Sequence, residues 1–347
     1  MNNKGIKDSC ITLPAIRGIQ AKKEYFVVMC PLHYVAGLFQ YTDPTLSPEV
    51  RAQRVLNKQR IPEIRDYILN NPDSYVFSAL TASVDGKMCF LSDKNSINNN
   101  VGILTIEGGA RIIINDGQHR RAAIEAALKK NPALRFEHIA IVLYYDYGLK
   151  RSQQIFSDLN RYAIRPTKSL NILYNTREEF SNIIKKSISN IPIFSGSVET
   201  EKTTISNRSP ALFTLSGIYN ASMDLVKDIE DCTNFSKEET ITNFWNELSR
   251  HMQIWQLAKE KYISAEQFRK EYICAHTIFL RALGIVGNKL LRKYLNTWEK
   301  QLSKLDNIDW RKDNEVYNGM VIINGKINGS RNSLAALVKY LEDILEI

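Results

Sequence analysis

The residue types best suited to chemistry in this chain stand together in one short run, Asp116-Gly117-Gln118-His119-Arg120-Arg121. It follows Ile112-Ile113-Ile114-Asn115, a strand-like stretch, and precedes an alanine-rich segment with helical spacing. Strand, tight turn and helix start are therefore expected in that order. Gly117 lets the backbone turn without a Cβ penalty. The amides at a helix start attract an anion, and the helix dipole adds to the attraction. Arg120 and Arg121 bring guanidinium forks suited to phosphate. Gln118 adds polar reach, and His119 can carry a proton near neutral pH. Asp116 either caps the helix or holds a hydrated Mg²⁺ against a phosphate. In a hydrolase, Asp116, His119 and Arg120 would be the catalytic set.

A second run, Phe156 to Lys168, places Asn160 at an expected helix end and Arg161, Arg165 and Lys168 in a loop with Tyr162 among them. Basic and aromatic residues in one loop suit backbone phosphates and stacking. Residues 111–168 carry 11 Lys and Arg against 5 Asp and Glu, a net +6. The 347-residue chain carries 46 against 37, a net +9. That balance favours a polyanionic partner such as nucleic acid.

The elements that must position these runs are read from periodicity and turn chemistry. Residues 1–24 read as an irregular lead-in, followed by a strand over Tyr25–Cys30. Ser47-Pro48 starts a helix bearing Arg51, Arg54, Lys58 and Arg60, and a second helix follows Ile61 and reaches Asn70. Asp85-Gly86 between Tyr75–Ser83 and Lys87–Leu91 predicts a β-hairpin. Gly108-Gly109 between Ile103–Glu107 and Ala110–Ile114 predicts another. A helix is expected over Gln118–Lys130, a strand over Ile139–Tyr145 and a helix over Leu149–Leu159. Helices dominate thereafter: Ser169–Tyr174, Arg177–Ser189, Ala211–Ile229, Ile241–Tyr262, Ala265–Ala282, Leu283–Leu302 and Ser330–Ile347. Ser195–Ile205 reads as an exposed loop or hairpin, and Met320–Ile327 as a small strand-like piece. Phe244, Leu248, Met252 and Trp255 fit one helical face. The fold class is α+β, with a mixed α/β domain over 1–175 and a mainly α-helical domain over 176–347.

Five scattered cysteines, none in a C-x-x-C pair, argue against a disulfide framework, and no structural metal is expected. No stretch has the length and apolarity of a membrane span, and the polar first ten residues are unlike a secretory signal, so a cytoplasmic protein is expected.

Asp116-Gly117-Gln118-His119-Arg120 resembles the motif after which DGQHR-domain proteins are named. Its Gly117-x-x-Arg120 spacing is similar to a box of the ParB and sulfiredoxin superfamily, and that likeness implies a ParB-like N-terminal domain in which Gly117, Gln118, Arg120, Arg121 and Asn160 hold nucleotide phosphates. Phe156-x-x-Leu159-Asn160 and its basic loop resemble the second box of DndB proteins, as Pro14–Gln20, Tyr25–Leu32, Gln53-Arg54 and Ile61–Phe77 resemble their N-terminal part. The resemblance implies a DNA-binding repressor of a DNA phosphorothioate modification operon, acting on its own promoter through Arg121, Arg161, Arg165 and Lys168. A homodimer would suit a symmetric operator. The alternative is a nucleotide-binding ATPase or CTPase of a modification or defence system, taking ATP with Mg²⁺. DndB proteins are encoded beside a cysteine desulfurase and iron–sulfur enzymes. That setting implies phosphorothioation enzymes as partners and makes Cys30 a redox candidate.

Overall fold

The computed structural model describes residues 10–39, 57–94, 99–161, 166–229, 235–295 and 297–347. Most of the helix expected from Pro48, with Arg51 and Arg54, lies outside them, as do Tyr162 and Arg165; of its other basic residues, Lys58 stands in a turn and Arg60 heads the helix that follows. The chain is α+β. It divides into two compact units, Met1–Ile164 and Arg165–Ile347.

The first unit opens with β1 (Ile11–Gln20) and β2 (Lys23–Pro31). From Ile11 onward, the expected irregular lead-in is thus largely strand. β1 and β2 form a hairpin with Gln20 opposite Lys23, closed by Ala21 and Lys22, whose φ angles are 50° and 62°. Two central residues with positive φ are the turn that Asn-Gly usually announces. Ala-Lys gives no such signal, which is why the strand before it is hidden in the sequence. Then come α1 (Leu32–Leu38), α2 (Arg60–Asn70), β3 (Leu80–Asp85), β4 (Met88–Ser92), β5 (Val101–Ile106) and β6 (Arg111–Asp116). α3 (Gln118–Lys130), β7 (His138–Tyr145) and α4 (Ser152–Arg161) complete the unit.

The seven strands lie in the order β4-β5-β1-β2-β7-β3-β6. Neither expected hairpin forms. β3 pairs with β6 and with β7, whereas β4 pairs with β5. Yet only Gly86 and Lys87 separate β3 from β4. Strands so close in sequence and so far apart in sheet order require a sheet curled until its ends approach. At the junction the Lys87 carbonyl accepts the Glu107 N–H at 3.1 Å, and the Lys87 N–H donates to the Glu107 carboxylate at 2.8 Å. β3–β4 and β5–β6 are one bent antiparallel ribbon, and the glycines bend it instead of reversing it. A Cβ at Gly86 would fall 2.4 Å from Ala110 Cβ, so the two connections touch where the ribbon folds over.

Alternation then sets the faces. Phe26, Val28, Leu80, Val84, Leu104 and Ile141 point into the curl, where Leu32, Val35, Ile68, Ile124 and Ala127 of α1, α2 and α3 close over them. Ile113 points the other way and packs on Leu149, just before α4.

The second unit holds α5 (Lys168–Tyr174), α6 (Glu179–Asn190), α7 (Leu215–Leu225), α8 (Lys237–Arg250), α9 (Gln253–Lys259), α10 (Ala265–Glu271), α11 (Thr277–Lys293), α12 (Trp298–Leu302) and α13 (Arg331–Leu345). The expected face of Phe244, Leu248, Met252 and Trp255 is buried throughout. The helix boundaries differ from expectation. The 241–262 stretch breaks between Arg250 and Gln253, and α11 runs unbroken across the expected boundary at Leu283. Ser195–Ile205 is not wholly exposed: Ser197 is buried, and Val198-Glu199 pairs in parallel with Phe213-Thr214. Among the described residues no helix is long and apolar enough to cross a membrane.

Candidate functional site

Strand, turn and helix follow one another as the sequence predicts. β6 ends at Asp116, Gly117 adopts φ 97°, and α3 starts at Gln118. Gly117 is needed twice over. Its backbone is left-handed, and a Cβ there would lie 2.4 Å from Leu80 Cδ2. The facing strand is irregular at the same place, with a register shift between Thr81 and Ala82 opposite the end of β6.

The charged side chains of the turn are tied down. Asp116 does not cap α3: the helix has no side-chain cap, and the carboxylate goes to Arg120 at 2.6 Å. Arg120 is the better partner because its guanidinium, one turn along, lies over the turn and also donates to the carbonyls of Ser78, at 2.5 Å, and Ala79, at 3.1 Å, and to the Ser78 hydroxyl. It fastens the lead-in of β3 to the start of α3. An Mg²⁺ on Asp116 would have to displace it. Arg121 turns to the Ala36 carbonyl at 2.9 Å and to Glu125 at 3.6 Å, with only 12% of its side chain exposed. His119 accepts the Asn57 N–H on Nε2 at 2.9 Å, which needs a neutral ring. Burial and the nearby Arg60 hold its pKa below the ordinary imidazole range, against the pull of Asp116. Gln118, the first helical residue, is half-buried.

Sequence reasoning missed the residues beneath the turn. Asn115 is 2% exposed; its amide donates to Ser83 Oγ at 2.7 Å and accepts from Ser152 Oγ at 2.9 Å. This buried chain joins β3, β6 and the start of α4. Asp146, 3% exposed, accepts the Arg151 N–H at 2.9 Å. At the far end of β3, Asp85 pairs with Arg111 and accepts the Gly148 N–H at 2.7 Å. Burial works to raise its pKa, but those two partners hold it below the usual carboxylate value. A polar residue inside an apolar strand pattern, as Asn115 is after three isoleucines, was the available signal.

The second run is divided. Asn160 and Arg161 end α4, with the Asn160 amide donating to the Phe156 carbonyl at 2.8 Å. Lys168 starts α5 in the second unit, where it bonds Asn220 Oδ1 at 2.5 Å and lies 5.4 Å from the centre of the Tyr219 ring. Cys30 sits on the buried side of β2, fully enclosed, and burial pushes its thiol up to about 12. A reactive thiolate needs the opposite setting, exposed and electropositive.

A family model described as DndB, DNA-sulfur modification-associated, matches residues 13–347. No curated protein and no solved structure matches the chain.

Proposed function

Because the chain belongs to the DndB family of DNA-sulfur modification-associated proteins, we propose that it is a DNA-binding regulator that represses a DNA phosphorothioate modification operon. The observation that carries the DNA-binding part is where the charge lies. Residues 1–164, the unit with the strand–turn–helix, hold 21 Lys and Arg against 15 Asp and Glu, which is +6 of the chain's +9. Such an excess draws a duplex in by its phosphates. Arg120 holds the turn and Arg121 ties α3 to α1, and Arg161, with Arg165 and Lys168 just beyond this unit, supplies the phosphate contacts. Base choice is made elsewhere, because phosphate contacts position a protein without reading sequence. A two-fold operator would be met by a homodimer, and the modification enzymes, a cysteine desulfurase among them, are the protein partners of the reading.

The test is fluorescence anisotropy of a promoter fragment from the chain's own operon, against a scrambled duplex, at two salt concentrations. Tighter promoter binding that falls steeply with salt is expected. Arg161→Ala should weaken both duplexes alike and lower the salt slope by about one. Equal, weak binding of both duplexes by the wild type overturns the regulator reading.

A further inference from the structure

Among the described residues, α1, α2 and α3 close over the core face of the first unit's curl. Where β2 begins and β7 ends, the curl opens as a cleft of about 800 Å³. Its floor is the continuation of the core face: Phe26 lies opposite both Arg17 and Leu143, and Phe90 opposite Leu104. Phe90 and Met88 remain half-buried there, and the Arg17 guanidinium stands 5.1 Å from the centre of the Phe90 ring. The rim carries Tyr145, 47% exposed, and Tyr147, 73% exposed.

The wall is cationic. Arg17, Lys23, Lys87, Lys150 and Arg151 line it, against Glu24 and Asp146. Both carboxylates are already engaged, Glu24 by Arg17 at 3.3 Å and Asp146 by the Arg151 backbone. Among the described residues, Lys23, Lys87, Lys150 and Arg151 have no carboxylate partner. Five cations against two carboxylates leave the lining of this concavity at a net +3, a field that draws an anion.

The far wall is also rigid. Leu149 is held against Ile113, Asp85 holds the Gly148 N–H, and Asp146 holds the Arg151 N–H. Gly148 and Leu149 have φ 69° and 55°, and the tight turn they make sends Leu149 inward and leaves Tyr147 and Lys150 outside. Flat apolar rings beside unpaired cations, in a concavity of this size, suit a planar base joined to a phosphate.

We propose that this cleft binds a nucleotide unit, with its base on the aromatic rim and floor and its phosphate among Lys87, Lys150 and Arg151. The site is separate from the strand–turn–helix. Arg120 is tied to the residues just before β3, whereas the cleft lies beyond the end of β3, where Asp85 meets Arg111 and Gly148. A six-residue strand places them about 17 Å apart. The ligand is either a free nucleotide or an unpaired nucleotide of a strand, and one titration separates the two.

A fluorescein-labelled short oligothymidylate is titrated with the full chain, then displaced with unlabelled thymidine 5′-triphosphate. The wild type binds. Tyr147→Ala weakens binding about 5- to 100-fold, while Tyr147→Phe, which keeps the ring, stays within about two-fold of the wild type. Lys150→Ala lowers the salt slope by about one. Displacement by the free nucleotide at low concentration identifies a mononucleotide site, and displacement only by unlabelled oligonucleotide identifies a strand. Both residues are at the rim, and melting curves of the variants exclude unfolding. The proposal is overturned if the wild type neither binds the oligothymidylate nor gains melting temperature with thymidine 5′-triphosphate, or if Tyr147→Ala and Lys150→Ala both bind as the wild type does. Promoter-duplex binding is followed in parallel. Loss of that signal alone sinks the regulator reading and leaves the cleft, and the converse result does the reverse.

Discussion

At the scale of single residues, a guanidinium that suits a phosphate donates equally well to a carbonyl. The structure gives Arg120 to Ser78, Ala79 and Asp116, and Arg121 to Ala36. The carbonyl partners lie 41 to 85 residues away, so no local pattern announces them. Gly117 was legible because its need is local, a left-handed backbone in a tight turn. Cys30 shows the same limit in reverse. Its setting follows from burial, and burial sets its reactivity. With burial raising the thiol to about 12, its thiolate at neutral pH is far scarcer than that of an ordinary cysteine. Alkylation at neutral pH followed by peptide mapping should label the exposed Cys10 and Cys89 first and reach Cys30 only on unfolding. Early labelling of Cys30 would show that β2 opens readily.

At the scale of elements, α3 was read with both ends correct. A left-handed glycine precedes it and Asn131-Pro132 stops it. β7 was likewise legible as an apolar run of strand length. The ribbon was not. Asp85-Gly86 and Gly108-Gly109 are good reversing turns in isolation, and what makes them bends is the insertion of β1, β2 and β7 into the sheet between the ribbon's halves. That information lies in pairings such as Ile11 with Ile106, which no short window contains. The bend makes its own prediction. Gly86→Ala would press a methyl group onto Ala110, at 2.4 Å from its Cβ and 2.7 Å from its Cα. A loss of about 1–3 kcal/mol is expected from urea unfolding. Ala110→Gly in the same chain should return part of it. In a simple 85–86 hairpin residue 110 would not be a neighbour, and no rescue would be seen.

At the scale of the whole molecule, the α+β class was legible from where strand-like and helical periods fall along the chain. The two units follow from their cores. One apolar cluster runs from Leu13 to Leu143 and another from Ile172 to Leu345, and neither draws a residue from the other unit. The second includes Trp245, Trp255, Phe213, Phe244 and Phe279, each almost wholly enclosed. A core of that size supports independent folding. Residues 165–347 produced alone should give a helical circular-dichroism spectrum and a single cooperative melt. A non-cooperative melt would mean that this unit needs the rest of the chain.

The bent ribbon also orders events in time. Its outer half, β4 and β5, docks on β1, while its inner half, β3, docks on β7. The sheet is therefore incomplete until Tyr145 has been synthesised, although its first strand begins at Ile11. Contacts so distant along the chain form slowly, because a long loop must close before any of them is rewarded. During translation β1 can take up β5 first, but β2 must wait with its other flank unpaired until β7 has been made. Exposed strand flanks are sites of misassociation, so this interval is when the nascent chain is most open to capture by chaperones.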